Sequence, residues 1–215
     1  MTDRPSTGQF DEWMSTPLGQ YLLEREQTYF DHAVADIFGY NAFQLGMPKV
    51  DLLRANRMPL RCTLGAELTV DVRTDFRDLP IASNSADLVL LPHVLEFADH
   101  PHQILREVER VLMPEAQVVL SGFNPFSLWG MRRKFHLGQD YPWGGRFISL
   151  MRVKDWLALL GFELVGGGWG VTPRRRGSRN GSSDFISWRG QGTAGGPSAA
   201  ACTFSRQSRR SAACG

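Results

Sequence analysis

His93 lies two residues past the apolar run at residues 86–91 (ADLVLL), where a buried strand must emerge, and is a candidate for proton chemistry. An imidazole there, with an unperturbed pKa of about 6.5, can line a pocket or act as a base; a structural histidine satisfied by buried neighbours fits the same position. No second residue completes a catalytic set with it, so no catalytic base is assigned. Cys62, Cys202 and Cys214 have neither a disulfide framework nor metal-ligand spacing, which excludes a metal centre built on cysteine and fits a reducing compartment. Residues 122–145 (GFNPFSLWGMRRKFHLGQDYPWGG) place Phe123, Phe126, Trp129, Tyr141 and Trp143 beside Arg132, Arg133, Lys134 and His136. Aromatic walls with a few cations suit a planar or acidic small molecule, and a loop that caps a sheet with a solvated basic end has the same composition.

The elements that must position these residues are legible in the periodicity. With 215 residues, 42% of them apolar and 21% charged, the chain can bury a sizeable core and is too apolar for a disordered one. No apolar run approaches the ~18 residues of a membrane span. The opening MTDRPSTGQFDEW has no basic-then-apolar layout, so a cytoplasmic protein without a secretory signal is expected. Residues 17–38 read as a helix: Thr16 can cap it, Pro17 suits its first turn, and Leu18, Leu22, Phe30, Ala33 and Ile37 recur at helical spacing before Gly39. It precedes the first candidate strand and is expected to cover the sheet. Residues 40–47 predict a short strand, 50–58 a brief helix, and 59–72 one or two further strands.

The central block is clearer. The 86–91 run has the pattern of a strand buried on both faces. Residues 101–113 place Ile104, Leu105, Val108, Val111 and Leu112 on one helical face, with Pro114 as the stop, and residues 117–121 (QVVLS) form another buried strand. Strand, helix and strand in so short a span make a right-handed crossover. Residues 153–160 predict a further helix and 161–165 a strand. The fold class is α/β: a Rossmann-like, mostly parallel open sheet with helices on both faces and an N-terminal helical cover.

The net charge of +2 is unevenly divided. Residues 171–215 hold eight Arg and one acid, a balance of +7, which leaves −5 for the first 170. Rich in Arg, Ser, Gly and Ala and without a strand or helix period, 171–215 reads as a disordered tail after a domain spanning 1–170. Three origins fit it: a basic arm for nucleic acid, a plain extension, or a shifted reading frame in GC-rich DNA. The negative balance of the ordered part argues against a broad phosphate-binding face.

From Asp75 onward the residues resemble a known family. Asp75, then Leu79-Pro80-Ile81, Asn84-Ser85, Asp87-Leu88-Val89, His93-Val94-Leu95 and Arg110-Val111-Leu112 stand at the spacing of the middle of class I S-adenosylmethionine-dependent methyltransferases, most like those of quinone biosynthesis. Leu160-Gly161-Phe162 is similar to a late helix-strand junction of that family. The resemblance implies that S-adenosylmethionine is the cofactor, that Asp75 accepts a hydrogen bond from the adenine amino group with Phe76 beside the ring, and that Pro92 and His93 face the cofactor pocket. It implies Gln44 and Gly46 as the remnant of the cofactor loop, with Glu67 the nearest acid for the ribose. The acceptor is an unidentified small molecule, expected in the aromatic segment 122–145, and neither metal nor membrane span is called for.

The chain departs from the family pattern at two places. Where the resemblance implies an acid that helps hold the cofactor's amino group, followed by three glycines, the chain reads Gln44-Leu45-Gly46-Met47-Pro48, and only 29 positions separate Gly46 from Asp75, so a helix or strand between them must be trimmed. The family's closing antiparallel hairpin begins at 162–165, but its second strand gives way to the Arg-rich stretch; an incomplete hairpin and a poorly soluble or partly unfolded chain are expected. The eroded loop also motivates an alternative reading, a non-catalytic binding or regulatory relative.

Overall fold

In the computed structural model, residues 13–123, 147–169 and 199–207 are described. Among them, seven strands form one sheet: β1 (Asn41–Leu45), β2 (Leu60–Gly65), β3 (Val72–Arg73), β4 (Ala86–Pro92), β5 (Leu112–Phe123), β6 (Phe162–Trp169) and β7 (Ala199–Arg206), in the order β3-β2-β1-β4-β5-β7-β6. The pairs from β3 across to β5 are parallel, and β7 runs antiparallel to both β5 and β6. Helices α1 (Pro17–Ala35), α2 (Val94–Phe97), α3 (Pro101–Val111) and α4 (Leu150–Leu159) complete the elements. This is the expected mostly parallel open α/β sheet. No described helix is long and apolar enough to cross a membrane.

Two cores sandwich the sheet. Phe43, Leu45, Val89, Leu91, Val118 and Leu120 point to one face, where Ile104, Leu105 and Val108 of α3 and Val153 and Leu157 of α4 cover them. Leu88, Leu90 and Val119 point to the other, beneath Phe30 and Val34 of α1. Alternation along a strand and burial on both faces make the near-continuous apolar run of β4 necessary. Thr16 caps α1 as expected, its Oγ1 accepting from the Gly19 N–H at 3.2 Å. The helix stops at Ala35 rather than 38, and Gly39 serves another purpose. A Cβ there would lie 2.4 Å from the Asp87 side chain, whose Oδ2 accepts from the N–H groups of Tyr40 (2.8 Å) and Asn41 (3.0 Å) and so sets the register of β1 on β4.

The matched motif residues are explained by a single tie. Arg110 of α3 donates to the carbonyls of Leu79 (3.1 Å) and Ile81 (2.9 Å) and to Ser83 Oγ (3.0 Å), while Glu107 accepts from Leu79 N–H (3.0 Å). The loop before β4 is thereby held to α3. The helix passes into β5 at Leu112 with no connecting loop, so Pro114 lies inside a strand at an irregularity in register, next to Glu115 at φ +68°, and is not the helix stop.

Three expectations are corrected. Residues 50–58 form turns and no helix; Leu52, Leu53 and Met58 still pack on the sheet, so their burial is met by an irregular crossover. Asn56 makes this possible: its amide donates to Val34 O (2.8 Å) and Ile37 O (3.0 Å), and its carbonyl accepts from Met58 N–H (2.9 Å). The C-terminal hairpin is complete, because residues 199–206, assigned above to a structureless tail, form β7 between β5 and β6. Cys202 and Phe204 are buried there, and Arg206 reaches Glu109 of α3 (2.6 Å), Asn84 Oδ1 (3.0 Å) and the Leu112 carbonyl. The domain therefore extends past residue 170, and the open edge on which poor solubility was predicated is filled; residues 170–198 and 208–215 lie outside the described residues.

A chain ending at residue 198 would leave β5 and β6 without their shared partner, and is expected to lose cooperative thermal unfolding by circular dichroism. Arg206→Ala should cost about 1–2 kcal/mol in urea unfolding through its charge-assisted contacts.

Candidate active site

In an open parallel sheet the ligand crevice forms beyond the carboxyl ends of the strands, where strand order reverses. Here that point lies between β1 and β4, since the chain moves from β1 outward to β2 and β3 and then returns to β4. Gly46 stands there, one residue past β1, at φ +82° and with its N–H on Leu64 O (2.8 Å). A Cβ added to it would lie 3.5 Å from Val94 Cγ2 and 3.9 Å from Phe76 Cζ. Three connections, those after β1, β3 and β4, thus converge on one glycine whose backbone a side chain would strain and partly cover.

Asp75 precedes Phe76 at the outer edge of this crevice and is exposed. Both its oxygens receive the Arg77 guanidinium (2.9 and 3.0 Å), and the Arg77 N–H adds a third bond at 2.9 Å. The Arg77 side chain, helped by its backbone N–H, lowers the carboxyl to about 2, so it is an anionic acceptor at any ordinary pH. Glu67 lies two residues past β2 and is half-buried.

Gln44 is placed differently from the expectation that it faces the cofactor. It is buried at the end of β1, and its amide donates to the carbonyls of Gly46 (3.0 Å), Met47 (3.0 Å) and Val50 (2.8 Å), while its Oε1 accepts from Leu52 N–H (3.0 Å). Its full hydrogen-bonding capacity holds the shortened crossover.

The far side of the rim is built on His93. Pro92 closes β4, buried and paired in register with Ser121, and His93 follows at φ +53°, its N–H on Ser121 O (3.1 Å). A left-handed histidine is uncommon and is tolerated where surrounding contacts over-determine it. Those contacts are two buried carboxylates: Glu96 Oε2 at 2.8 Å from Nδ1 and Glu26 Oε1 at 2.6 Å from Nε2. An imidazolium donates from both nitrogens and so suits two ionised carboxylates. Burial by itself would lower its pKa, but the charges of Glu26 and Glu96 outweigh that and raise it to about 10. Burial likewise raises Glu96, against the lowering effect of His93 and of the Phe123 N–H that its other oxygen accepts. His93 is therefore a fixed cation here, and a proton-abstracting role would require it to leave both carboxylates.

Apolar rings close this corner: His93 lies 4.4 Å from Phe123, which stacks on Phe147 (5.2 Å) and meets the edge of Trp13 (6.1 Å). Phe126, Trp129, Tyr141, Trp143 and the cations among them lie outside the described residues. Sequence reasoning missed Val94, Glu26 and Glu96. Glu26 did leave a signal, since Leu22, Glu26, Phe30 and Val34 share one stripe of α1, and an acid in an apolar stripe demands a buried partner. A hollow of about 230 Å³ lies at the opposite rim, beside Asp36, Asp87 and Gln117, at the amino ends of β4 and β5, away from this geometry. Among the described residues no group of three His, Cys, Asp or Glu side chains is arranged to hold a metal ion.

A parallel sheet with this strand order, an antiparallel last strand and a glycine at the β1–β4 crevice defines the class I S-adenosylmethionine-dependent methyltransferase fold. Comparison with known proteins agrees. Residues 49–120, from just past Gly46 to β5, match the methyltransferase domain family. The chain is 32% identical over 158 residues to the uncharacterized protein YafS of Escherichia coli, covering 72% of this chain and 66% of that protein. It is 29% identical over 92 residues to a malonyl-(acyl-carrier protein) O-methyltransferase of a Methylovorus species, covering 43% of this chain and 31% of the relative. It thus spans 66% or less of the length of these curated relatives. The N-methyltransferase NodS of Bradyrhizobium japonicum, solved with S-adenosyl-L-homocysteine, superposes with a TM-score of 0.60 over 94% of this chain and 98% of its own, at 12% identity, a likeness of fold. The fold is thus that of the class I S-adenosylmethionine-dependent methyltransferases, and residues 49–120 carry the methyltransferase domain pattern.

Two outcomes test this geometry. A group whose folded pKa stands above its unfolded value stabilises fully below the unfolded value and loses that contribution as pH rises. His93 should therefore contribute fully below about pH 6.5, with the melting temperature falling as pH rises toward about 10, and His93→Gln should flatten that slope. Gln44→Leu removes the side-chain partner of three carbonyls and of the Leu52 N–H and should lower stability by about 2–4 kcal/mol in urea unfolding.

Proposed function

We propose that this chain transfers the methyl group of S-adenosylmethionine to a small-molecule acceptor, as a cytoplasmic enzyme. The observation that carries the reading is the convergence of Phe76, Val94 and positive-φ Gly46 at the switch point of the sheet, with anionic Asp75 adjoining. The chemistry of these groups suits the nucleoside end of the cofactor. The Asp75 carboxylate accepts from an exocyclic amino group, Phe76 supplies an apolar wall beside a purine, and Gly46 lets backbone approach the ligand. When bound, S-adenosylmethionine supplies a sulfonium-activated methyl group that needs no metal.

The protein's own work is then to hold and to exclude. Pro92 ends β4 without an N–H to compete at the crevice, and Phe123, Phe147 and Trp13 keep the β5 side of the rim apolar. Holding an attacking atom in line with a methyl group in such a setting lowers the barrier by roughly 7–11 kcal/mol. The acceptor stands on this β5 side, beside Phe123, Phe147 and Trp13.

Calorimetry with S-adenosylhomocysteine tests the reading. The full chain is expected to bind it, and Asp75→Ala to weaken binding by about 1–3 kcal/mol through loss of a charged acceptor. No binding by a folded sample removes the methyltransferase reading; unchanged affinity in Asp75→Ala removes the adenine assignment alone.

A further inference from the structure

Glu26 sits 4% exposed in the stripe of α1 that faces the sheet, between Leu22 and Phe30. A carboxylate so buried is costly unless both oxygens are satisfied. One is: Oε1 accepts from His93. The other, Oε2, is buried and has no hydrogen-bond partner among the described residues. Glu96, by contrast, uses both oxygens, on His93 and on the Phe123 N–H. An imidazolium between two ionised carboxylates carries a formal charge of −1, and the orphaned oxygen belongs to Glu26. A neutral donor such as water would satisfy the lone pair and leave the charge; a cationic donor satisfies both.

The position narrows which cation fits. His93 is the chain neighbour of Val94, which flanks Gly46 at the switch point. The cluster therefore adjoins the crevice on the side away from Asp75 and Phe76, where a cofactor whose adenine lies at Asp75 extends its amino-acid arm. At that end the usual acid after β1 is replaced by Gln44, whose amide is consumed by the crossover. An anion is missing on β1 and an unbalanced one stands on α1. Ser121 Oγ, at the end of β5 and paired in register with Pro92, is a second buried polar atom without a partner among the described residues.

Resting on the methyltransferase reading, we infer that Glu26 binds the α-ammonium group of the cofactor's amino-acid arm through Oε2, taking the part that an acid at the end of β1 would otherwise play. Helix α1 is then a component of the cofactor site as well as a cover for the sheet. His93 is a positioning residue that holds Oε1 and leaves Oε2 without a protein partner among the described residues.

The experiment is calorimetry of the full chain with S-adenosylhomocysteine and with 5′-methylthioadenosine, the same nucleoside without the amino-acid arm. Wild type should prefer S-adenosylhomocysteine by at least tenfold. Glu26→Gln keeps an oxygen for His93; it should bind methylthioadenosine as wild type does and lose the preference. A deaminated S-adenosylhomocysteine should bind wild type at least tenfold more weakly than the parent and Glu26→Gln equally to it. Should Glu26→Gln fail to fold, Glu26→Asp, which keeps the charge but withdraws the oxygen by one methylene, is expected to show the same loss of preference. A preference retained in the variant, or absent from wild type, overturns the assignment while methylthioadenosine binding leaves the methyltransferase reading intact. Binding of neither nucleoside overturns both.

Discussion

One buried charge cluster organises the working edge of this domain. The His93 ring is held by Glu26 from α1 and by Glu96 from α2, and Glu96 in turn accepts from the Phe123 backbone at the end of β5. Three elements that would otherwise end independently are joined through a single imidazolium. Removing one partner from such a group leaves a buried charge uncompensated, which is far more costly than never having buried it. The left-handed backbone of His93 and the close approach of Gly122 to Glu96, where a Cβ would lie 3.2 Å from Oε1, follow from this clamp.

The other half of the rim is governed by economy of chain. Between β1 and β2 a doubly wound domain ordinarily places a helix, which satisfies its own backbone polar groups. Here 14 residues cross without one, and two buried amides replace it. Gln44 gathers the carbonyls of the first turn, and Asn56 joins the end of the crossover to the end of α1. The substitution of an acid by Gln44 is thus tied to the shortening of the crossover. A carboxylate cannot donate to three carbonyls, so the residue that suits the loop cannot also offer a negative charge to a ligand.

Much of the fold was legible because it obeys short-range rules. β4 and α3 announce themselves by a near-continuous apolar run and a clean helical face, and α1 by its cap, its proline and its stripe. β7 was not legible. Its sequence, AAACTFSR, has no Val, Ile or Leu and is set among Gly, Ser and Arg; inside a sheet, between β5 and β6, small residues suffice because the ladder on both sides supplies the stability. The crossover misled for the converse reason: Leu52, Leu53 and Met58 are buried without a helix, by turns that the Gln44 and Asn56 amides hold in place.

Of the candidate site, the sequence by itself determined the residues that belong to a chain-local pattern: Asp75 beside Phe76, the glycine after β1, and the histidine at the end of β4. Such features are set by neighbours within a few positions and by the strand that precedes them. Only the tertiary structure decided what those residues meet. Glu26 and His93 are 67 positions apart, and the state of the imidazole, the orphaned oxygen of Glu26 and the engagement of Gln44 depend on contacts that exist once α1 lies across the sheet. Charge compensation in a buried site is a property of the assembled environment, and no spacing along the chain encodes it.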